Sequence, residues 1–205
     1  MELLLILFQL KNNTMNQENF IYRNYLNTET TDEIVDFFWK NSNQHLDGAS
    51  GSLGHINKAN KDSRDLYIHM GDVLSVPFFQ KYEEHLTESV NNYIELYPSL
   101  NNNWVMGITE PFGIQHYQKG GGYKAEHCER TGNFDKTIKR VLVFMTYLND
   151  VEDGGTHFKY YNHTEKAEKG KTIIWPSDWT HTHNGQISEN NEKIISTGWV
   201  SHRWD

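Results

Sequence analysis

The feature that most constrains this chain is a change of hydrophobic period near residue 104. Before it, Phe79, Tyr82, Leu86, Val90, Tyr93 and Tyr97 recur every three or four residues between Pro77 and Pro98. That spacing lines one face of an α-helix; Pro77 suits its first turn and Pro98 ends it. Beyond residue 104 no long helical stripe returns. Short apolar runs at 104–109, 113–118, 123–129, 139–148, 156–160, 171–175, 181–186 and 193–201, separated by Gly, Asn and Asp, predict eight short strands. An amphipathic helix needs a sheet to pack on, and strands of this length and number form an antiparallel jelly roll or barrel. The predicted fold is α+β, mainly β with N-terminal helices.

A second helix is expected over about 31–41. Thr30-Thr31-Asp32-Glu33 reads as a capping box, and Ile34, Val35, Phe38 and Trp39 fall on one helical face. Residues 42–72 are polar and rich in Gly, Ser, Asn and Asp, which predicts loop or short strand, and the length suggests an ordered functional loop or a lid. The expected organisation is helical support and loop over 15–103 and a β core over 104–205, together one globular domain. The run Leu3–Phe8 is too short to span a bilayer and lacks the basic flank of a signal peptide. Residues 1–14 are therefore expected to be a disordered or mis-annotated extension, with Met15 the more natural start.

The formal net charge of −8 argues against sequence-independent nucleic-acid binding. The single cysteine, Cys128, allows no intrachain disulfide. A reducing, cytoplasmic setting is expected, with no membrane partner.

Chemistry concentrates in three places. His127 and Glu129 are two apart on a predicted strand, so their side chains share a face while Cys128 points away. An imidazole beside a carboxylate supplies two-thirds of a 2-His-1-carboxylate facial triad. His181 and His183 also share parity, and either could complete it. On the last predicted strand, Lys193, Ile195, Thr197 and Trp199 face one way and Ile194, Ser196, Gly198 and Val200 the other. If Trp199 faces inward, so does Lys193. A buried ammonium needs an anion, whereas a lysine at the strand's end would extend its head into solvent.

From about residue 112 to 202 the chain resembles the prolyl 4-hydroxylase-like Fe(II)/2-oxoglutarate-dependent oxygenases. The residues that carry this are Tyr117, His127-x-Glu129, Arg140, Tyr147-Leu148-Asn149-Asp150-Val151, Gly154-Gly155-Thr156-x-Phe158, Lys169-Gly170, His183-x-Gly185, Lys193 and Trp199. Their order and spacing both match. The family places a basic residue nine or ten positions after its distal histidine. Lys193 is ten after His183 and twelve after His181, which favours His183 as the ligand. One departure is plain: most members carry Asp where this chain has Glu129, although a minority group has His-x-Glu.

The resemblance implies a double-stranded β-helix with Fe(II) held by His127, Glu129 and His183. It implies 2-oxoglutarate as co-substrate, its distal carboxylate paired with Lys193. Thr197, Tyr147 and Tyr117 are candidates for lining that subsite, and Trp199 for walling it. Ascorbate enters as the reductant related enzymes use to keep iron ferrous. The implied reaction couples decarboxylation of 2-oxoglutarate, giving succinate and CO2, to C–H hydroxylation of a substrate such as peptidyl proline or another protein or peptide side chain. Because Glu129 keeps a carboxylate on the metal, hydroxylation is expected rather than halogenation. Two rivals are a cupin-like metalloenzyme that does not use 2-oxoglutarate and a metal-free jelly roll serving as a binding or structural module. Neither needs Lys193 inside.

Overall fold

A computed structural model of the chain describes residues 19–50, 54–101, 105–131 and 135–203. The expectations for residues 1–14 and for Met15 lie outside the described residues. In chain order the principal elements are β1 (Tyr22–Tyr25), α1 (Thr28–Lys40), β2 (Arg64–Ile68), α2 (Pro77–Leu96), β3 (Phe112–Tyr117), β4 (Arg140–Tyr147), β5 (Val151–Phe158), β6 (His163–Ala167), β7 (Lys171–Pro176), β8 (His183–Gly185) and β9 (Lys193–His202).

The major sheet has eight strands, in the order β1–β7–β4–β9–β3–β2 and then Leu46–Asp47, with Met106–Gly107 pairing on the end of β9. The minor sheet runs β6–β5–β8. The pairings are antiparallel. The result is a jelly roll with helices on its outer face.

Alternation along β4 shows how the two layers of core arise. Leu142 and Phe144 point to the helices, where they meet Ile34, Phe38, Phe79, Tyr82 and Leu86. Val143, Met145 and Tyr147 point between the sheets, against Val151, Phe158 and Ala167 of the minor sheet. Such period-two alternation with both faces buried is what fixes strand register. Polar groups on the helix side are paired: Tyr82 donates to Thr146 Oγ1 at 2.9 Å, and Thr146 bonds Thr172 at 2.7 Å.

Several sequence expectations change. The N-cap of α1 is Asn27, whose side chain accepts from the Thr30 amide at 2.8 Å, so the helix starts a turn earlier than Thr30 suggests. Thr30 and Thr31 are fully buried instead. The 42–72 segment, expected as loop or short strand, contributes β2, a sheet strand beside β3, and also a short helix at Met70–Ser75 that was not expected. The N-terminal half thus supplies strands as well as helical support. The strand expected over 123–129 shrinks to Gly122–Tyr123, paired with Lys61–Asp62. That over 181–186 starts only at His183, because Trp179–His181 form a 3-10 turn.

Gly198 sits opposite Phe144 across the β4–β9 ladder. A Cβ there would lie 2.5 Å from Phe144 Cζ and 2.8 Å from Phe112 Cβ. Gly198→Ala should therefore overpack this layer and cost about 1–3 kcal/mol, lowering the thermal midpoint by several degrees in a melting experiment. An unchanged midpoint would show that the layer is looser than its contacts imply.

Candidate functional site

His127 lies outside any long strand, yet its backbone forms an isolated antiparallel bridge with His183. The two residues exchange both bonds: His127 N donates to His183 O at 3.0 Å, and His183 N to His127 O at 2.9 Å. This pairing brings the ring centroids to 4.4 Å. Two residues on, the Glu129 amide donates to Ser177 O at 3.1 Å and sets the carboxylate beside both rings. Glu129 Oε1 is 3.2 Å from His127 Nε2 and 3.8 Å from His183 Nε2. One ligand-type atom from each of the three residues lies within 4.8 Å of the others.

The tautomers follow from geometry. His127 Nδ1 faces Ala125 O at 3.0 Å, and His183 Nδ1 faces His181 O at 2.8 Å. A carbonyl only accepts, so each Nδ1 carries a proton, and a neutral ring keeps its lone pair at Nε2. Tyr123 stacks on His127 at 3.7 Å, while Trp175 and Phe158 hold the His183 ring at 5.1 and 5.6 Å. Burial, aided by His127, pushes the His183 imidazole down to about 4, so it stays neutral near pH 7. Burial alone would raise the Glu129 carboxyl. When the His127 ring carries a second proton, its Nε2–H and its charge, with His183 and Arg140, outweigh it and hold that carboxyl at about 2. Two imidazole nitrogens and one carboxylate oxygen on one side suit a first-row transition ion with open positions opposite.

His181 is elsewhere. Its Nε2 bonds Asn19 O at 3.0 Å and its Nδ1 bonds Thr180 Oγ1 at 3.0 Å, both away from the cluster. The shared-face expectation for 181 and 183 fails because a 3-10 turn, not a strand, carries residue 181.

The three residues line a cavity of about 680 Å³. Lys193, Ile195, Thr197 and Trp199 all face it, as alternation predicts. Lys193 is buried, and its Nζ donates to Gly154 O at 2.8 Å and Gln186 O at 3.0 Å. Burial pushes its ammonium down to about 8, opposed only by the charge of Asp153. The Tyr117 ring lies 5.3 Å from that ammonium. Tyr147 donates to Thr156 Oγ1 at 2.7 Å, which leaves the Thr156 proton free to give. Thr156, named from sequence only as part of the Gly154-Gly155-Thr156 motif, lines the cavity. Thr197 differs from expectation. Its hydroxyl donates to Phe144 O at 3.0 Å, and four residues of strand put it about 13 Å along β9 from Lys193.

A lone buried ammonium on carbonyls alone is a costly arrangement unless an anion completes it. A dicarboxylate that also chelates a metal fits this donor set: one end at the imidazoles, the other at Lys193. Sequence reasoning also missed Tyr123, four residues before His127, and the contacts that Arg140 and Glu110 make beside Glu129.

Comparison with known proteins bears on the same region. Residues 112–201 match the family model described as the 2OG-Fe(II) oxygenase superfamily. No curated protein matches the sequence. Solved structures do match. A prolyl-4-hydroxylase from Pseudomonas putida is 14% identical, with 91% of this chain and 95% of that one covered at a TM-score of 0.68. A prolyl hydroxylase from Trichoplax adhaerens, in complex with a hypoxia inducible factor oxygen degradation domain peptide fragment, is 16% identical, with 98% and 93% covered at 0.67. The viral collagen prolyl hydroxylase of Paramecium Bursaria Chlorella virus-1, in a 2OG complex, is 18% identical, with 91% and 98% covered at 0.63. At such identities these likenesses speak for the fold.

Proposed function

We propose, on the premise that this chain belongs to the 2OG-Fe(II) oxygenase superfamily, that it is a 2-oxoglutarate-dependent hydroxylase whose ferrous ion is held by His127, Glu129 and His183. One observation carries the assignment of residues: three donor atoms meet in a cavity that also holds a buried ammonium whose hydrogen bonds, among the described residues, go to two backbone carbonyls. When bound, iron, 2-oxoglutarate and O2 together supply the oxidising power that turns R–H into R–OH as 2-oxoglutarate becomes succinate and CO2.

The chain's own residues bind, orient and exclude. The Nδ1–H bonds of both histidines lock their rings with Nε2 facing the metal. Lys193 pairs with the distal carboxylate of 2-oxoglutarate, and Thr156, primed by Tyr147, donates to the same group. Tyr117 and Ile195 wall that end against water. Thr197 and Trp199 line the cavity nearer the metal.

Room remains for a primary substrate. At about 680 Å³ the cavity exceeds what 2-oxoglutarate fills, and Ala49, Ser50, Tyr67 and Pro111 line it as well. A protein or peptide side chain is the substrate class we infer, with peptidyl proline first, a choice supported by the peptide that the Trichoplax enzyme binds. No described helix is long and apolar enough to cross a membrane.

The test is optical, then chemical. Fe(II) and 2-oxoglutarate added without oxygen should together produce a weak visible charge-transfer band that neither gives alone. With oxygen, prolyl peptides should raise succinate formation above the substrate-free rate. Absence of the band overturns the 2-oxoglutarate reading. A band without stimulation by any peptide overturns only the substrate class.

A further inference from the structure

The outer oxygen of Glu129 is not left to solvent. Trp199 Nε1 donates to Oε2 at 2.9 Å, and Arg140 Nη1 stands 3.5 Å from the same atom. Arg140 Nη1 also reaches the Glu129 backbone carbonyl at 3.4 Å. The guanidinium lies 3.4 Å over the Trp199 ring. Glu110 grips the guanidinium from its other side, accepting from Nε at Oε1 at 2.9 Å and from Nη2 at Oε2 at 2.8 Å. These side chains are largely buried, 12% exposed for Arg140 and 16% for Glu110.

The backbone departs from regularity to build this. Along β4, residues 142 and 144 face the helices, so simple alternation would send Arg140 there too. A register shift between Arg140 and Leu142, against Ser201 and Val200 of β9, breaks the alternation. Val141 then packs on the helix side and Arg140 turns into the cavity. Bulges next to active sites re-aim side chains in this way.

We propose that Arg140 and Trp199 are positioning residues for the Glu129 carboxylate, a role that rests on the metal assignment above. A glutamate is one methylene longer than the aspartate most relatives carry, so its carboxylate has an extra torsion and can swing to present both oxygens. Here Oε1 faces the imidazoles while the indole N–H and the guanidinium occupy Oε2. The pair keeps the longer side chain to a single ligating oxygen and leaves the opposite face open. Glu110 acts one step back: its bidentate grip sets the plane of the guanidinium on the indole.

The test uses Co(II) on the metal-free full-length protein, without 2-oxoglutarate, reading affinity and visible d–d absorption. Trp199→Phe keeps the ring and deletes the N–H. Arg140→Gln with Glu110→Gln removes both charges and leaves two amides able to pair, so neither half of the ion pair is stranded. Each should weaken Co(II) about 10- to 100-fold and lower the d–d intensity as the freed carboxylate turns bidentate. Glu129→Asp should cost about tenfold in the wild-type background and markedly less in Trp199→Phe, because the shorter carboxylate cannot reach the indole. Variants that melt like wild type and bind Co(II) with its affinity and spectrum overturn the positioning role. A wild-type protein that binds Co(II) no better than His127→Ala overturns the metal assignment itself, and the role with it.

Discussion

His183→Ala and His127→Ala should each abolish 2-oxoglutarate turnover, whereas His181→Ala should retain it. Losing a partner that merely orients a ligand costs roughly 10- to 100-fold, and losing the ligand itself should cost about 10³-fold or more. His181 is as buried as His183, so burial does not separate them. Their bonds do. His183 offers Nε2 to the cluster, while both ring nitrogens of His181 are engaged by Asn19 O and Thr180 Oγ1. The bond that residue 181 makes to the cluster comes from its backbone carbonyl, which accepts from His183 Nδ1 at 2.8 Å and survives truncation to alanine. His181→Ala should therefore lower the melting temperature, through a lost buried bond, and leave turnover largely in place. Succinate formation on melting-matched samples distinguishes the cases. Full turnover in His183→Ala would remove that residue from the metal.

What the sequence revealed, and what it hid, follows from where side chains are paired. α2 was legible because Phe79, Tyr82, Leu86 and Tyr93 are all core residues on one stripe. β9 was legible because its alternation survives for its whole inward face, from Lys193 to Trp199. β2 was not, since it reads Arg-Asp-Leu-Tyr-Ile and looks polar at its start. Asp65 is fully buried there only because Lys61 and Ser63 bond it at 2.6 and 2.7 Å, a pairing that no local pattern announces. The start of α1 was misplaced because Asn27 and Thr30 are both good N-cap types, and only tertiary burial of Thr30 decides between them.

The candidate site divides the same way. Parity brought out His127 and Glu129 and left His181, His183 and Lys193 open; the family resemblance chose His183 and Lys193, and the structure places the four around one cavity. The reasoning that put 127 and 129 on one strand does not hold, however, because the reciprocal bridge with His183 and the bond to Ser177 O set them instead. The parity expected for 181 and 183 fails, and alternation along β4 breaks at Arg140, for which no parity was argued from sequence; each has a backbone cause. The 3-10 turn carries His181 away, and the bulge in β4 carries Arg140 in. Both irregularities depend on contacts distant in sequence, so a period count cannot see them.

Lys193→Ala should raise the 2-oxoglutarate requirement far more than it lowers the rate at saturation. Removing one partner of a buried, hydrogen-bonded charge pair costs about 2–5 kcal/mol, roughly 30-fold to several thousand-fold in affinity. The native residue should also give binding a distinctive pH dependence. Burial, opposed by the charge of Asp153, holds its ammonium at about 8, below its ordinary value. Below that pH the ammonium is charged and ready to pair. Above it the amine is neutral, and binding a carboxylate must first take up a proton. Affinity for 2-oxoglutarate, titrated anaerobically on the charge-transfer band, should thus be level below about pH 8. It should then fall by up to about tenfold per unit above that pH, until the raised pKa of the bound state is reached. Lys193→Arg, charged throughout, should lose that alkaline limb. Lys193→Ala should be weak and flat across the range. A wild-type affinity level from pH 7 to 10 would mean that the ammonium of residue 193 does not meet the co-substrate, whatever else lines the cavity.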